Sequence, residues 1–145
     1  MPLNKKTMKR HITLFIALCA MFLASCTHNN GDIGPLFGQW KVTAMEGDGV
    51  TLPPYDGNMY WSFQSHTIEM KVVSDDHAVW QTFGNWSKTD NELMLDFPDA
   101  DRQPPEMSHL SSSSRLRIWQ LDKGKAVFIY DLPDGGSITY TLKKW

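Results

Sequence analysis

Few side chains in this sequence could do chemistry, and most of them lack the company that chemistry needs. Asp75, Asp76 and His77 are consecutive, and with His66 or His109 they could form a corner for a divalent cation. Metal sites of that kind usually carry a His-x-His or His-x3-His spacing, which puts two ligands on one face, and neither spacing occurs here. Two aspartates between apolar runs are also what a solvated hairpin turn contains, and that reading is preferred. Ser111 to Ser114 offer four hydroxyls without a Gly-x-Ser-x-Gly elbow to activate one of them. Glu46, Glu69 and Glu92 are scattered over strand edges and turns and make no carboxylate pair for acid–base work. No glycine-rich phosphate loop or nucleotide fingerprint is present. The expectation is a protein that is not an enzyme and holds neither metal nor cofactor.

The one residue in a setting that marks it for modification is Cys26, at the end of Leu23, Ala24, Ser25 and Cys26. Upstream lie Lys5, Lys6, Lys9 and Arg10, then an apolar stretch from Ile12 to Leu23 broken only by Thr13. That is a basic segment followed by a core of signal-peptide length, short for a permanent membrane span. Small residues before a cysteine at this point resemble the lipobox of bacterial lipoproteins. The resemblance implies cleavage before Cys26 and acylation of that cysteine, with residues 1–25 as signal peptide and 26–35 as lipidated cysteine and flexible tether. It implies a chain held in the cell envelope, at the outer membrane and facing the periplasm. The tether carries one acidic residue, Asp32, and not the acidic cluster that surface-exposed lipoproteins tend to carry, which favours the periplasmic face and leaves surface exposure as the alternative.

Removing the leader changes the charge. The full chain has 14 basic and 16 acidic residues and a net charge of −2, which becomes −6 when the four leader cations go. An acidic module has no electrostatic reason to bind nucleic acid. Cys19 leaves with the leader and Cys26 is used by the lipid, so residues 36–145 have no disulfide and no cysteine ligand.

Those 110 residues suffice for one domain, and its patterning is period two throughout. Gln39–Glu46 places Trp40, Val42 and Ala44 on one side. Met59–Gln64 places Met59, Trp61 and Phe63 together, and Thr67–Val73 does the same with Ile68, Met70 and Val72. Ala78–Ser87 has Trp80, Thr82, Gly84 and Trp86 in register, and Leu93, Leu95 and Phe97 follow. A proline- and serine-rich stretch from Pro98 to Ser114 interrupts, with one helical turn expected near Glu106 to Leu110, and its length fits a lid or mobile rim. Arg115–Leu121, Lys125–Tyr130 and Ser137–Lys143 complete eight strands joined mostly by short turns. The expected fold is all-β, an antiparallel up-and-down barrel, because closure removes both sheet edges.

Gly38, Gln39 and Trp40 at the start of the first strand look like the Gly-x-Trp signature of lipocalins and their calycin relatives. Gly84, Asn85 and Trp86 followed by Asn91 to Leu95, and the final strand from Ile138 to Lys143, are similar to small bacterial lipocalin-like lipoproteins. The resemblance spans Leu36 to Trp145 and implies that Gly38 and Trp40 close one end of an eight-stranded barrel. The family's arginine that stacks on this tryptophan has no direct counterpart, since the last strand offers Lys143 and Lys144 instead. Binding a small hydrophobic ligand is what the resemblance implies, with Trp61, Phe63, Met70, Trp80, Trp86 and Tyr140 as the interior wall. Six tryptophans could equally fill such a barrel. In that case the chain is an interaction module, an accessory or inhibitor protein, meeting another envelope protein through its outer surface or the 98–114 loop.

Overall fold

The computed structural model describes residues 8, 9, 11–13 and 34–145. Cys26, the cleavage site before it and the tether as far as residue 33 lie outside the described residues. Residues 8, 9 and 11–13 are helical, and among the described residues no helix is long and apolar enough to cross a membrane.

Eight strands follow: β1 (Gly38–Asp48), β2 (Met59–Gln64), β3 (Thr67–Val73), β4 (Val79–Lys88), β5 (Glu92–Asp96), β6 (Ser113–Leu121), β7 (Lys125–Asp131) and β8 (Ser137–Lys144). Each pairs antiparallel with its sequence neighbours, and β8 pairs with β1, so the sheet closes into an up-and-down barrel. Alternation decides which side chains go inside. In β2, Met59, Trp61 and Phe63 are buried, and in β3 Ile68 and Met70 are. Two bulges break the alternation. At Thr43 the β1–β8 register shifts between Val42 and Ala44, so that Met45, and not the expected Ala44, packs against the core. At Trp119 the β6–β7 register shifts between Ile118 and Gln120, and the indole is left 74% exposed.

One end of the barrel is shut by the start of β1 and the end of β8. Trp40 is fully buried and its Nε1–H donates to the Leu36 carbonyl at 2.8 Å. Gly38 sits at φ +110°, where a Cβ would come within 3.1 Å of the Lys144 Nζ. A side chain there would crowd the lysine off its seat. That seat is over the Trp40 ring, 4.5 Å from its centroid, where Lys144 also donates to the Phe37 carbonyl. Lys144 thus puts a cation over the one tryptophan that shuts this end.

At the other end the connections are longer, and tyrosines tie them down. Tyr55, in the loop after β1, donates to the Val42 carbonyl at 2.6 Å and accepts from the Met59 N–H at 3.1 Å. The stretch between β5 and β6 folds over this end and is tied to the barrel beneath it. Its single 3-10 turn, Glu106–Ser108, places Ser108 in full burial, and the Tyr140 hydroxyl, reaching up from the barrel, donates to the Ser108 carbonyl. Tyr130 bonds Ser111 at 3.1 Å, and the Gln103 amide donates to the carbonyls of Phe97 and Asp99. Burial pushes the Tyr140 hydroxyl far above the ordinary tyrosine range, so it is a fixed donor at any physiological pH.

Two expectations follow. Lys144→Met should lower unfolding free energy in urea by about 1 kcal/mol while Lys144→Arg retains it, because the second keeps a cation on the ring face. Equal melts for Met and wild type would remove the lysine from the closure. Tyr140→Phe leaves the buried Ser108 carbonyl without its donor, at a cost of about 1–3 kcal/mol. Amides from 105 to 112 should then exchange with solvent faster, with those of β1 to β8 unchanged.

Candidate functional site

The residues expected to form the interior wall are mostly brought together. Trp61, Phe63, Met70 and Tyr140 are fully buried in one core cluster. Trp61 stacks parallel to Phe128 at 6.3 Å and lies tilted against Tyr140 at 5.3 Å. Phe63 meets the half-buried Trp86 edge-on at 5.3 Å. Trp80 departs from the expected wall. It has the inward parity of Thr82 and Gly84, but it sits at the start of β4, beyond the barrel's rim, and is 47% exposed. The aromatic side chains through the middle of the barrel pack on one another, as a core does.

That interior retains polar atoms. The Trp61 and Trp86 indole N–H groups and the Thr82 hydroxyl are buried and have no hydrogen-bond partner among the described residues. Trp61 pairs with Met70 and Met70 with Thr82, so two of these atoms lie on one cross-strand row. Unpaired buried polar groups cost free energy, so these atoms weigh against the stability of the packed interior.

The concave surface is at the open end. A cleft of about 420 Å3 lies between the loop after β1 and the turn after β5, lined by Met45, Pro53, Pro54, Tyr55, Met107 and, at its polar edge, Glu106 and His109. Its size is that of a small-molecule site. Met45 faces it because of the Thr43 bulge, and Tyr55 stays protonated there because burial lifts its pKa to about 12. A second cleft of about 360 Å3 lies on the other side of Glu106 and Met107, where Trp80 and Val72 face Pro104 and Pro105. Only Trp80 of the expected wall residues takes part in either. The expectation of a lid or rim over 98–114 covers Met107, whereas Pro53 and Tyr55 are passed over because they stand in an irregular connector. The available signal was a tyrosine and a methionine spaced among prolines in otherwise polar stretches.

The rim of this end is acidic. Its connections carry Asp56, Asp75, Asp76, Asp99, Asp101, Glu106 and Asp134 against the single cation Arg102. Asp76 is held below the usual carboxylate range by hydrogen bonds from Ser74 and the Ala78 N–H, so it is committed to its turn, as the hairpin reading requires. Among the described residues no three His, Cys, Asp or Glu side chains group closely enough to hold a metal ion.

Residues 20–140 match the family model of the lipocalin-like domain. Among solved structures, a lipocalin-like protein from Bacteroides uniformis is similar at a TM-score of 0.60 and 15% identity, over 77% of this chain and 100% of that one. An uncharacterized protein from Bacteroides eggerthii aligns with a TM-score of 0.57 and 12% identity, over 76% of this chain and 99% of that one. At such identities the likeness shows the fold alone. No protein of curated function is similar to the sequence. With its closed eight-stranded barrel and this match over most of its length, the chain belongs to the lipocalin-like domain family.

Proposed function

We propose that the chain is a lipid-anchored envelope protein that takes a small apolar molecule at the mouth of its barrel, and that it is a binder and not an enzyme. The observation that carries the reading is the cleft of about 420 Å3 between two tyrosine-tied loops, apolar in its lining and set above a packed barrel. A lipocalin-like fold is in keeping with small-ligand binding, and the anchor rests on Cys26 and the residues before it. Seven carboxylates on the surrounding connections set the polarity of the ligand: a cationic head is drawn in, a neutral one is admitted, and a free fatty acid is repelled.

The filled middle of the barrel favours a second reading, in which the same mouth meets a loop of another envelope protein. Fluorescence separates the two. Nile red, a neutral apolar dye, should brighten on adding the chain, and Met107→Glu should weaken its binding by at least about tenfold, since it buries a charge in an apolar wall. A carboxylate-bearing dye of similar size should bind more weakly than Nile red. Native mass spectra of the chain taken from its own envelope should show an added mass that denaturation removes. No dye binding and a bare mass together would sink the ligand reading and leave the partner-protein one.

A further inference from the structure

The charge of the barrel is divided between its two ends, and the end away from the mouth has features that the proposed ligand site does not use. On the outer face, direct cross-strand partners run Lys125 to Lys143, Lys143 to Lys41, Lys41 to Tyr60 and Tyr60 to Lys71. Four lysines thus occupy one continuous row over five strands with no carboxylate between them. Like charges set directly opposite one another destabilise a sheet, so local packing gives no reason for the row. Among the described residues, the ion pairs join Arg102 to Asp99, Arg115 to Glu92 and Arg117 to Asp131, and none involves these lysines. Their neighbours are aromatic. Lys41 lies 5.8 Å from the Tyr60 ring centroid and 5.1 Å from that of Trp145, which is itself 68% exposed.

The row starts at the closed end and climbs the side of the barrel to Lys71, near the mouth end of β3. Lys125 opens β7 beside Lys123 in the preceding turn, whose one carboxylate, Asp122, accepts from the Gly124 and Lys125 N–H groups, and Lys143 nearly ends β8. Trp119, on its bulge, stands close to that same turn, and the partly exposed Phe37 precedes β1. Lysine with exposed tryptophan is the side-chain chemistry of a membrane–water interface, where the ammonium meets headgroup phosphate and the indole lies among headgroups. The chain enters the barrel at this end, through Gly34 and Leu36. Cys26 is eight residues earlier, a reach of at most about 28 Å fully extended.

We propose that the lysine row and the closed end, with Trp145, rest on an anionic phospholipid surface, leaving the acidic mouth pointing away from it. The occupant is chosen by charge complementarity and by where the chain leaves toward its anchor. An anionic surface attracts the row and repels the carboxylate rim, so one field both holds and orients the molecule. A single lipid anchor fixes distance and leaves orientation free, and the basic face is the second signal that fixes it. The inference rests on the anchoring part of the functional reading and is independent of what the mouth binds.

The test uses residues 27–145, released by a general secretion signal so that no acyl chain contributes. These residues contain the whole closed barrel with its core. The chain is sedimented with vesicles of phosphatidylcholine and of phosphatidylcholine mixed with phosphatidylglycerol. Binding to the mixed vesicles should exceed binding to the neutral ones by at least about tenfold and vanish in concentrated salt. Lys41→Gln, Lys125→Gln and Lys143→Gln combined should abolish that preference with the melting temperature unchanged, since all three side chains point away from the core. In the unaltered protein, brominated lipids in the mixed vesicles should quench tryptophan emission, and Trp145→Phe should remove most of the quenching. Equal partition to both vesicle types would overturn the proposal. So would insensitivity to salt, or binding to a soluble anionic polysaccharide as tight as to the vesicles. The anchor is judged separately by the intact mass of the membrane-extracted chain: absence of acyl groups rejects the anchor and leaves the vesicle result to stand or fall alone.

Discussion

Pairing of β8 with β1 is the contact on which the rest of the molecule depends. It joins the first and last strands, Gly38–Asp48 and Ser137–Lys144, in the longest strand pairing of the barrel. Without it the sheet would have two open edges and its aromatic face would be exposed to water. The barrel has no disulfide to hold those ends, since residues 34–145 contain no cysteine. Non-covalent closure therefore carries the whole burden, and it is reinforced where it begins. Gly38 leaves room for Lys144, Lys144 covers Trp40, Trp40 bonds Leu36, and the Trp145 N–H bonds the Gln39 carbonyl. A pairing of this sequence separation forms late and at high entropic cost, so residues that stabilise it act on the whole fold and not on one corner.

Closure also determines where function can be. An eight-stranded barrel has interior enough for its own side chains or for one small ligand. This one spends it on Trp40, Trp61, Phe63, Phe128 and Tyr140, all fully buried. Large rings stabilise a small domain without disulfides, and they leave binding to the ends. The closed end is plugged by Trp40 and Leu36. The open end keeps its concavity because its longer connections arch over the rim and are pinned there. The Tyr140 to Ser108 bond links that mouth to the core: the same tyrosine that packs on Trp61 holds the turn that walls the cleft. Stability and the shape of the site are therefore coupled through one side chain.

Much of this could be read from the sequence, and what could not shares a physical cause. The alternation of Trp61, Phe63, Ile68 and Met70 put β2 and β3 at their observed bounds, because a half-buried strand imposes period two directly. Period two also gave Trp80 its parity but not its height along the barrel, which depends on how the sheet is sheared. The Thr43 bulge was invisible, since Val42, Ala44 and Met45 are all apolar and only the pairing with β8 shows that one residue is extra. The inward fold of the β5–β6 stretch was equally hidden. Tyr140 and Ser108 are 32 residues apart, and nothing local announces their bond. Lys144 was the nearer miss: continuing Ile138, Tyr140 and Leu142 by two places points it inward, over the ring that needed a cation.

The lysine row illustrates the same limit at the level of charge. Along the sequence Lys41, Lys71, Lys125 and Lys143 are far apart, each flanked by strand residues, and a net charge of −2 gives no hint of a basic face. Only the register of five strands brings them into line, and the topology gathers seven loop carboxylates at the mouth end against Asp90 and Asp122 in turns at the closed end. The separation is a consequence of how an up-and-down barrel is threaded. Alternate turns fall at alternate ends, so a charge bias in every second turn becomes a dipole along the barrel axis. Here the turns after β1, β3, β5 and β7 carry seven carboxylates, against Asp90 and Asp122 in the turns after β4 and β6. A chain threaded this way can be acidic overall and still present one end that a negative surface attracts, which net charge alone would rule out.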